Sequence, residues 1–254
     1  MAAVLMNNQN FTGKPYSPEA LSPVAGMLPD LSLIDFPGRI AAVLFTAGCN
    51  FRCPYCHNGE TLNGPARSGM TWRDLDAALA RHRQNWVDAV VITGGEPTLQ
   101  SGLPDLVAHL KAQGFAIKLD TNGTRPDVVR ALLPRLSYVA MDIKCTRADY
   151  PRRVGCPEAL LPRLDETIEL LKTHAPDYEF RTTVLPDWHP AESWSILADW
   201  LAGAKRYILQ AFIPRPQVLS PALRTAPETP LAFLRKMRAA LEKSLPSVEI
   251  RGTF

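Results

Sequence analysis

The sequence lacks a strong charge of one sign, a long apolar run and a secretory signal. Its 254 residues carry 28 lysines and arginines against 25 aspartates and glutamates, which gives a formal net charge of +3. So small a net charge provides no dominant basic surface, and we expect no nucleic-acid partner. No apolar run reaches the roughly 18 residues that a membrane-spanning helix needs, so we expect no membrane partner either.

Cysteines are also few. The five cysteines are an odd number, and three of them lie within eight positions of one another, which does not fit a disulfide framework. Residues 1–10 have neither a basic region nor a long apolar stretch. We therefore expect a cytoplasmic protein that holds a metal or redox centre.

What the sequence does contain is a series of apolar, β-branched runs that alternate with segments of helical period. Near-continuous apolar runs are typical of parallel strands that are covered on both faces. The predicted strands are Ile40–Thr46, Asp88–Thr93, Ala116–Thr121, Tyr138–Ile143, Glu179–Leu185, Tyr207–Phe212 and a short final run, Val248–Arg251.

Helical segments are predicted between these strands. One begins at Thr71, with Asp74 as its capping-box partner, and others begin at Ser101 and near Leu164 and Trp194. The alternation of strand and helix predicts right-handed βαβ units. We predict an α/β fold, an incomplete (β/α)6-type TIM barrel of parallel strands with the helices outside. Residues 1–30 are predicted to be an irregular leader, and residues 31–254 a single domain.

The sharpest signal is a cluster of three cysteines, Cys49, Cys53 and Cys56, in a C-x3-C-x2-C arrangement after the first long apolar run. Thiolates are soft ligands that suit iron–sulfur clusters and zinc. A closed cluster has four protein ligands, so three thiolates can hold a 4Fe–4S cube and leave its fourth iron open. Structural zinc also requires four ligands, and His57 is poorly placed to share a metal with adjacent Cys56. The spacing favours an iron–sulfur cluster over a zinc site or free core cysteines.

Polar residues follow, or lie late in, the later strands as well. Parallel β/α barrels place reactive groups at the carboxyl ends of their strands, so we expect these residues to converge on one edge. Each has an ordinary alternative: a turn for the glycines, a turn or cap for Asp120, and a salt bridge for the charged residues. The residues are Gly95, Glu96, Asp120, Asp142, Lys144 and Gln210, and Arg181 is a further cation inside the predicted strand Glu179–Leu185.

The cysteine spacing, with Tyr55 before the last cysteine, resembles the signature of radical S-adenosylmethionine (SAM) enzymes. The longer strings Ser32–Gly38 and Cys56–Asn58 resemble the activating proteins of glycyl-radical enzymes. Within that family the sequence is most similar to the activating proteins of anaerobic ribonucleoside-triphosphate reductase. The resemblance extends from about Leu31 to Pro214.

This resemblance implies a set of ligands. Cys49, Cys53 and Cys56 would hold a 4Fe–4S cluster with one open iron, where SAM binds, and a monovalent cation would lie near Asp120. No catalytic residue is implied beyond the ligands of the cluster and of SAM. The residues implied to contact SAM are Tyr55, Gly94, Gly95, Glu96, Asp120, Thr121, Asp142, Lys144, Arg181 and Gln210.

The resemblance also implies a reaction and partners. Reductive cleavage of SAM would give a 5′-deoxyadenosyl radical, which removes a hydrogen from a glycine of the partner reductase. The implied reductant is of the flavodoxin or ferredoxin type. One alternative is a radical SAM enzyme that acts on a small molecule, similar to 7-carboxy-7-deazaguanine synthase. Another is a non-catalytic zinc or electron-carrier module. No role is predicted for residues 1–30, the 214–230 loop, Cys145 or Cys156.

Overall fold

The computed structural model describes residues 17–59, 62, 69–84 and 86–252. Residues 1–16 of the predicted leader lie outside this range. The chain divides into two compact units. The first takes the described parts of 1–49, 61–120 and 128–138, and the second takes those of 50–60, 121–127 and 139–254. The organisation of 31–254 as a single domain stays a prediction.

Strands of the first unit pair in the order in which they follow along the chain. A short strand runs antiparallel to its neighbour, and the next strands are parallel. Apolar side chains such as Phe36, Val43, Val91 and Tyr138 form its core. The strands are β1 (Gly26–Met27), β2 (Ala41–Thr46), β3 (Ala89–Gly94) and β4 (Ala116–Thr121).

Strands of the second unit are all parallel and also pair in chain order. Their side chains alternate between faces, so residues two apart on one strand share a face. The strands are β5 (Tyr138–Asp142), β6 (Tyr178–Val184), β7 (Tyr207–Ala211) and β8 (Val248–Arg251).

Helices connect the parallel strands, as the sequence predicts. The capping box at Thr71 is confirmed: the Asp74 amide donates to Thr71 Oγ1 at 3.1 Å, and the Thr71 amide donates to Asp74 Oδ2 at 3.3 Å. The helices are α1 (Trp72–Arg83), α2 (Leu103–Ala112), α3 (Pro126–Leu132), α4 (Tyr150–Val154), α5 (Leu161–His174), α6 (Glu192–Trp200) and α7 (Leu231–Leu241).

The predicted α/β class with parallel strands is confirmed, and the predicted strands are present with ends that differ by at most one residue. β1, α3 and α4 were not predicted, because each is too short to show a periodic pattern and two of them begin beside a proline. No helix among the described residues is both long and apolar enough to cross a membrane.

Candidate active site

The loop that carries Cys53 and Cys56 is fixed by backbone hydrogen bonds. The Cys56 amide donates to the Cys53 carbonyl at 3.0 Å, which closes a tight turn. The amide of Leu219 donates to the Cys56 carbonyl at 3.0 Å, and that of Ser220 donates to the Pro54 carbonyl at 2.8 Å. The proline-rich 214–230 loop, for which the sequence predicted no role, therefore holds the cysteine loop in place through two backbone hydrogen bonds.

None of the three clustered cysteines is in a disulfide, and Cys53 is buried whereas Cys49 and Cys56 are half-buried. Burial raises the pKa of the Cys56 thiol. Among the described residues, no group of three or more His, Cys, Asp or Glu side chains is placed to hold a metal ion. The donor set of three reduced thiols fits an iron–sulfur cluster in kind, and the assignment of these thiols as its ligands stays a prediction.

His57 is directed towards the chain that follows β7. Its Nε2 lies 2.8 Å from the carbonyl oxygen of Ile213. The imidazole also stacks on Phe212, with ring centroids 6.1 Å apart and an interplanar angle of 10°. These contacts give the imidazole a role in holding the loop after β7 against the cysteine loop.

Tyr55 is buried beside the thiols, and its ring packs edge-on against Trp188 with centroids 5.2 Å apart. Burial, with a smaller contribution from nearby Cys53 and Asp142, raises the pKa of its hydroxyl. That hydroxyl finds no hydrogen-bond partner among the described residues. Because an unsatisfied buried polar group costs about 1–3 kcal/mol, the Tyr55 hydroxyl is suited to meet a polar atom of a ligand.

Three charged residues, Asp142, Lys144 and Arg181, which we call the Asp142 cluster, meet in the second unit where the end of β5 lies beside the middle of β6. Lys144 Nζ donates to Asp142 Oδ2 at 2.9 Å, and Arg181 Nε donates to Asp142 Oδ1 at 2.9 Å. The side chains of Asp142, Lys144 and Arg181 keep 27%, 16% and 10% of their surface exposed. The salt bridge that the sequence left as the ordinary alternative for Asp142 and Lys144 is thus present, and Arg181 is brought to the same carboxylate. The predicted contacts of these residues to SAM stay predictions.

Mutual pairing keeps all three groups of the cluster charged. Burial alone would raise the pKa of Asp142, but Arg181 and Lys144 outweigh it and hold the pKa well below its usual range. Burial alone would lower the pKa of Lys144, but the Asp142 carboxylate outweighs it and raises the pKa. Lys144 and Arg181 are cationic groups of the kind that bind a carboxylate.

The backbone of Lys144 is itself held by two side chains that the sequence did not single out. The Lys144 amide donates to the Tyr150 hydroxyl at 2.9 Å, and His189 Nε2 lies 3.2 Å from the Lys144 carbonyl oxygen. Nδ1 lies 3.2 Å from the Leu185 amide nitrogen, which can donate to it, and 3.1 Å from the Leu185 carbonyl oxygen. Burial lowers the pKa of His189 to about 4, so the imidazole is neutral near pH 7.

In the first unit, residues 94–96 form what we call the Gly-Gly-Glu turn. The Gly95 amide donates to the Thr46 carbonyl at 2.9 Å, and the Glu96 amide donates to the Gly48 carbonyl at 2.8 Å. A Cβ on Gly95 would overlap the carbonyl of Gly48, and Gly94 has a φ of +119°. Both glycines are therefore required by the close approach of two backbone segments.

The Glu96 carboxylate caps a short 3-10 helix, Pro97–Leu99. Its Oε1 accepts from the Thr98 amide at 3.1 Å and from the Thr98 hydroxyl at 2.5 Å. The residue is almost fully buried, with 1% of its surface exposed. These contacts show a structural function for Glu96 that the sequence alone did not reveal.

Asp120, near the end of β4, is paired with a lysine. Lys118 Nζ lies 2.5 Å from Asp120 Oδ1, and both side chains are buried. Lys118 precedes Asp120 by two positions and so shares its face of the strand. That spacing was the signal that could have revealed Lys118 from the sequence.

Thr121 and Gln210 are two further residues that the sequence predicted to contact SAM. Thr121 Oγ1 accepts from the Gly123 amide at 3.1 Å, as in an ordinary turn. Gln210 is half-buried on β7, in register with Thr183 on one neighbouring strand and Arg251 on the other. The contacts to SAM predicted for these two residues stay predictions.

Comparisons with known proteins show which family the chain belongs to. Residues 43–199 match the model of the radical SAM superfamily. Over 244 residues the chain is 34% identical to a protein of Methanocaldococcus jannaschii whose name describes a candidate glycyl-radical enzyme activating enzyme. That match covers 91% of this chain and 98% of the relative.

Two further similarities are more limited. The chain is 36% identical over 96 residues to 7-carboxy-7-deazaguanine synthase of Hyperthermus butylicus, which covers 37% of this chain and 40% of that protein. The fold is similar to Streptococcus suis SuiB bound to S-adenosylmethionine, with a TM-score of 0.62, at 15% identity over 81% of this chain and 48% of SuiB. At that identity the likeness concerns the fold alone, and it confirms the predicted fold class.

Proposed function

The chain belongs to the radical SAM superfamily, and we propose that it is an activating enzyme that installs a glycyl radical on a partner enzyme. The observation that carries this proposal is the similarity to the M. jannaschii protein over nearly the full length of both chains. The match to the deazaguanine synthase covers less than half of either protein. We further propose anaerobic ribonucleoside-triphosphate reductase as the partner, because of the strings around Ser32–Gly38 and Cys56–Asn58.

Superfamily membership implies a 4Fe–4S cluster and SAM. Cys49, Cys53 and Cys56 would hold the cluster, which when bound would supply one electron to the sulfonium of SAM. The chain's own task is then to bind and orient SAM and to keep water from it. No general acid or base is needed among these residues.

The Asp142 cluster and Tyr55, which lie in the second unit, each fit one part of this task. The Asp142 cluster offers two cations to a carboxylate, and Lys144 is kept in place by Tyr150 and His189. The buried Tyr55 hydroxyl offers a hydrogen bond to a polar atom of SAM. Because these groups are held by neighbours before any ligand arrives, little reorganisation is needed on binding.

In the first unit, the Gly-Gly-Glu turn offers backbone and a carboxylate. We propose that Glu96 accepts from the amino group of SAM in addition to capping its own helix. Gly94 and Gly95 leave no side chain between the turn and a ligand.

The test is formation of a glycyl radical. The protein is reconstituted anaerobically with iron and sulfide, reduced with a flavodoxin- or ferredoxin-type protein, and mixed with SAM and the anaerobic reductase. We expect a glycyl doublet in the EPR spectrum of the reductase, and no doublet with Cys53→Ala. SAM cleavage without a doublet on the reductase would contradict this partner.

A second candidate is supported by the partial similarity to 7-carboxy-7-deazaguanine synthase. In that case SAM would be cleaved only when a small molecule is bound, and the anaerobic reductase would not stimulate the reaction. The two candidates are separated by measuring 5′-deoxyadenosine with and without the reductase.

A further inference from the structure

Lys118 places a positive charge against Asp120 inside the first unit. The lysine side chain has no exposed surface, and its Nζ lies 2.5 Å from Asp120 Oδ1. The ammonium also lies 6.0 Å from the centre of the Tyr138 ring, where it meets the negative face of an aromatic system.

A buried lysine keeps its charge only when it is paired. Transfer of an unpaired ammonium or carboxylate out of water is very costly, and the contact between Lys118 and Asp120 offsets part of that cost. The Asp120 carboxylate therefore already has a cation as its neighbour. A second cation placed against the same carboxylate would be repelled by the lysine ammonium, because charges interact strongly where water is excluded.

This arrangement disagrees with the monovalent cation implied near Asp120 by the resemblance. We propose that the ammonium group of Lys118 occupies the cation position beside Asp120, so that this protein binds SAM without a monovalent metal ion. Lys118 is then a positioning residue. Its ammonium group, which is part of the chain, holds the Asp120 carboxylate in place. The part that concerns SAM rests on the proposed function, whereas the part that concerns ion binding does not.

The first experiment compares SAM affinity of the reconstituted wild-type protein in potassium chloride and in choline chloride at equal ionic strength. We expect the dissociation constant to be the same in both salts within about twofold, because no metal ion is recruited. A loss of affinity of about tenfold on removal of potassium would overturn the proposal.

The second experiment removes the lysine charge. In Lys118→Met the carboxylate of Asp120 loses the lysine ammonium, so we expect the variant to bind thallium(I), a spectroscopic substitute for potassium, in thallium-205 NMR. Wild type and Lys118→Arg, which keeps the charge, are expected not to bind it at this site. The double variant Lys118→Met/Asp120→Asn serves as the control for unspecific binding.

Two outcomes of the thallium experiment would overturn the proposal. One is thallium binding by wild type that Asp120→Asn abolishes, and the other is a folded Lys118→Met variant that binds no thallium. If Lys118→Met does not fold, the comparison of wild type with Asp120→Asn decides alone. Failure of SAM cleavage in every salt would instead count against the proposed function, and it would leave the thallium result unaffected.

Discussion

The Gly-Gly-Glu turn and the Asp142 cluster both follow a parallel strand and both contain a buried or partly buried carboxylate, but they are stabilised differently. The turn is held by backbone hydrogen bonds to Thr46 and Gly48, and its Glu96 carboxylate accepts hydrogen bonds from Thr98. The cluster is held by two cations, and its carboxylate keeps 27% of its side-chain surface exposed. The fold thus requires the turn whether or not a ligand binds, whereas the charged groups of the cluster remain accessible to a ligand.

The comparison shows that residues in motifs shared with a family can have different roles, either in the fold or in ligand binding. Gly95 is required because a Cβ would overlap the Gly48 carbonyl, whatever binds nearby. Asp142, Lys144 and Arg181 are joined instead by side-chain ion pairs. Substitutions in the two regions should therefore separate stability from activity.

The largest effect is expected for Gly95→Ala. The added methyl group would be forced against the Gly48 carbonyl, and overpacking against rigid backbone should lower the free energy of unfolding by about 3 kcal/mol or more. Chemical denaturation measures the change. Gly26→Ala is the matched control, since nothing lies within 4 Å of its Cβ, and should change stability by less than about 0.5 kcal/mol. Equal stability of the two variants would show that the turn can move aside.

A smaller effect on stability and a large one on activity are expected for Asp142→Asn. Loss of the carboxylate frees Lys144 and Arg181 from their fixed positions, so SAM cleavage should fall by about a hundredfold or more. The control is Asp177→Asn, which also faces two cations, Lys205 at 2.9 Å and Arg206 at 3.9 Å, outside the cluster. Equal loss of 5′-deoxyadenosine formation in both variants would contradict a specific role of the cluster.

The next effect concerns pH. The pKa of His189 falls from about 6.5 in the unfolded chain to about 4 in the folded protein. The unfolded state thus binds more protons between these values, and stability should fall by roughly 2–3 kcal/mol as pH drops from about 6.5 to 4. Below about pH 3, where His189 is protonated in both states, this contribution no longer changes.

The His189 contribution is isolated by a matched pair of variants. His189→Gln should remove this part of the pH dependence, measured by denaturation at several pH values. His174→Gln should leave it unchanged, because His174 is exposed on α5. An identical pH slope in wild type and His189→Gln would show that the imidazole is not held neutral by burial.

Much of the fold could be predicted because apolar periodicity reports burial directly. Strands such as Ala116–Thr121 and Val248–Arg251 agree with the prediction at both ends. The two-residue strand Gly26–Met27 and the five-residue helix Tyr150–Val154 could not be predicted, since neither is long enough to repeat its pattern.

The site was predictable in its residue types but less so in its contacts. The pairing of Asp142 with Lys144 follows from alternation along a strand, and the same rule applied to Asp120 would have identified Lys118. The support of Lys144 by His189, 45 positions along the chain, and of the cysteine loop by Leu219 could not be predicted. Contacts over such distances depend on how loops pack, which local sequence does not encode.

The central claim is that three cysteines hold a cluster at which SAM is cleaved. The most direct measurement is 5′-deoxyadenosine formed per mole of protein by wild type, Cys53→Ala and Cys156→Ala after identical anaerobic reconstitution and reduction. Cys53 and Cys156 are both buried thiols, so the pair is matched in size and burial. The account predicts product from wild type and Cys156→Ala and none from Cys53→Ala. Full turnover by Cys53→Ala, or bound zinc without iron in wild type, would contradict it.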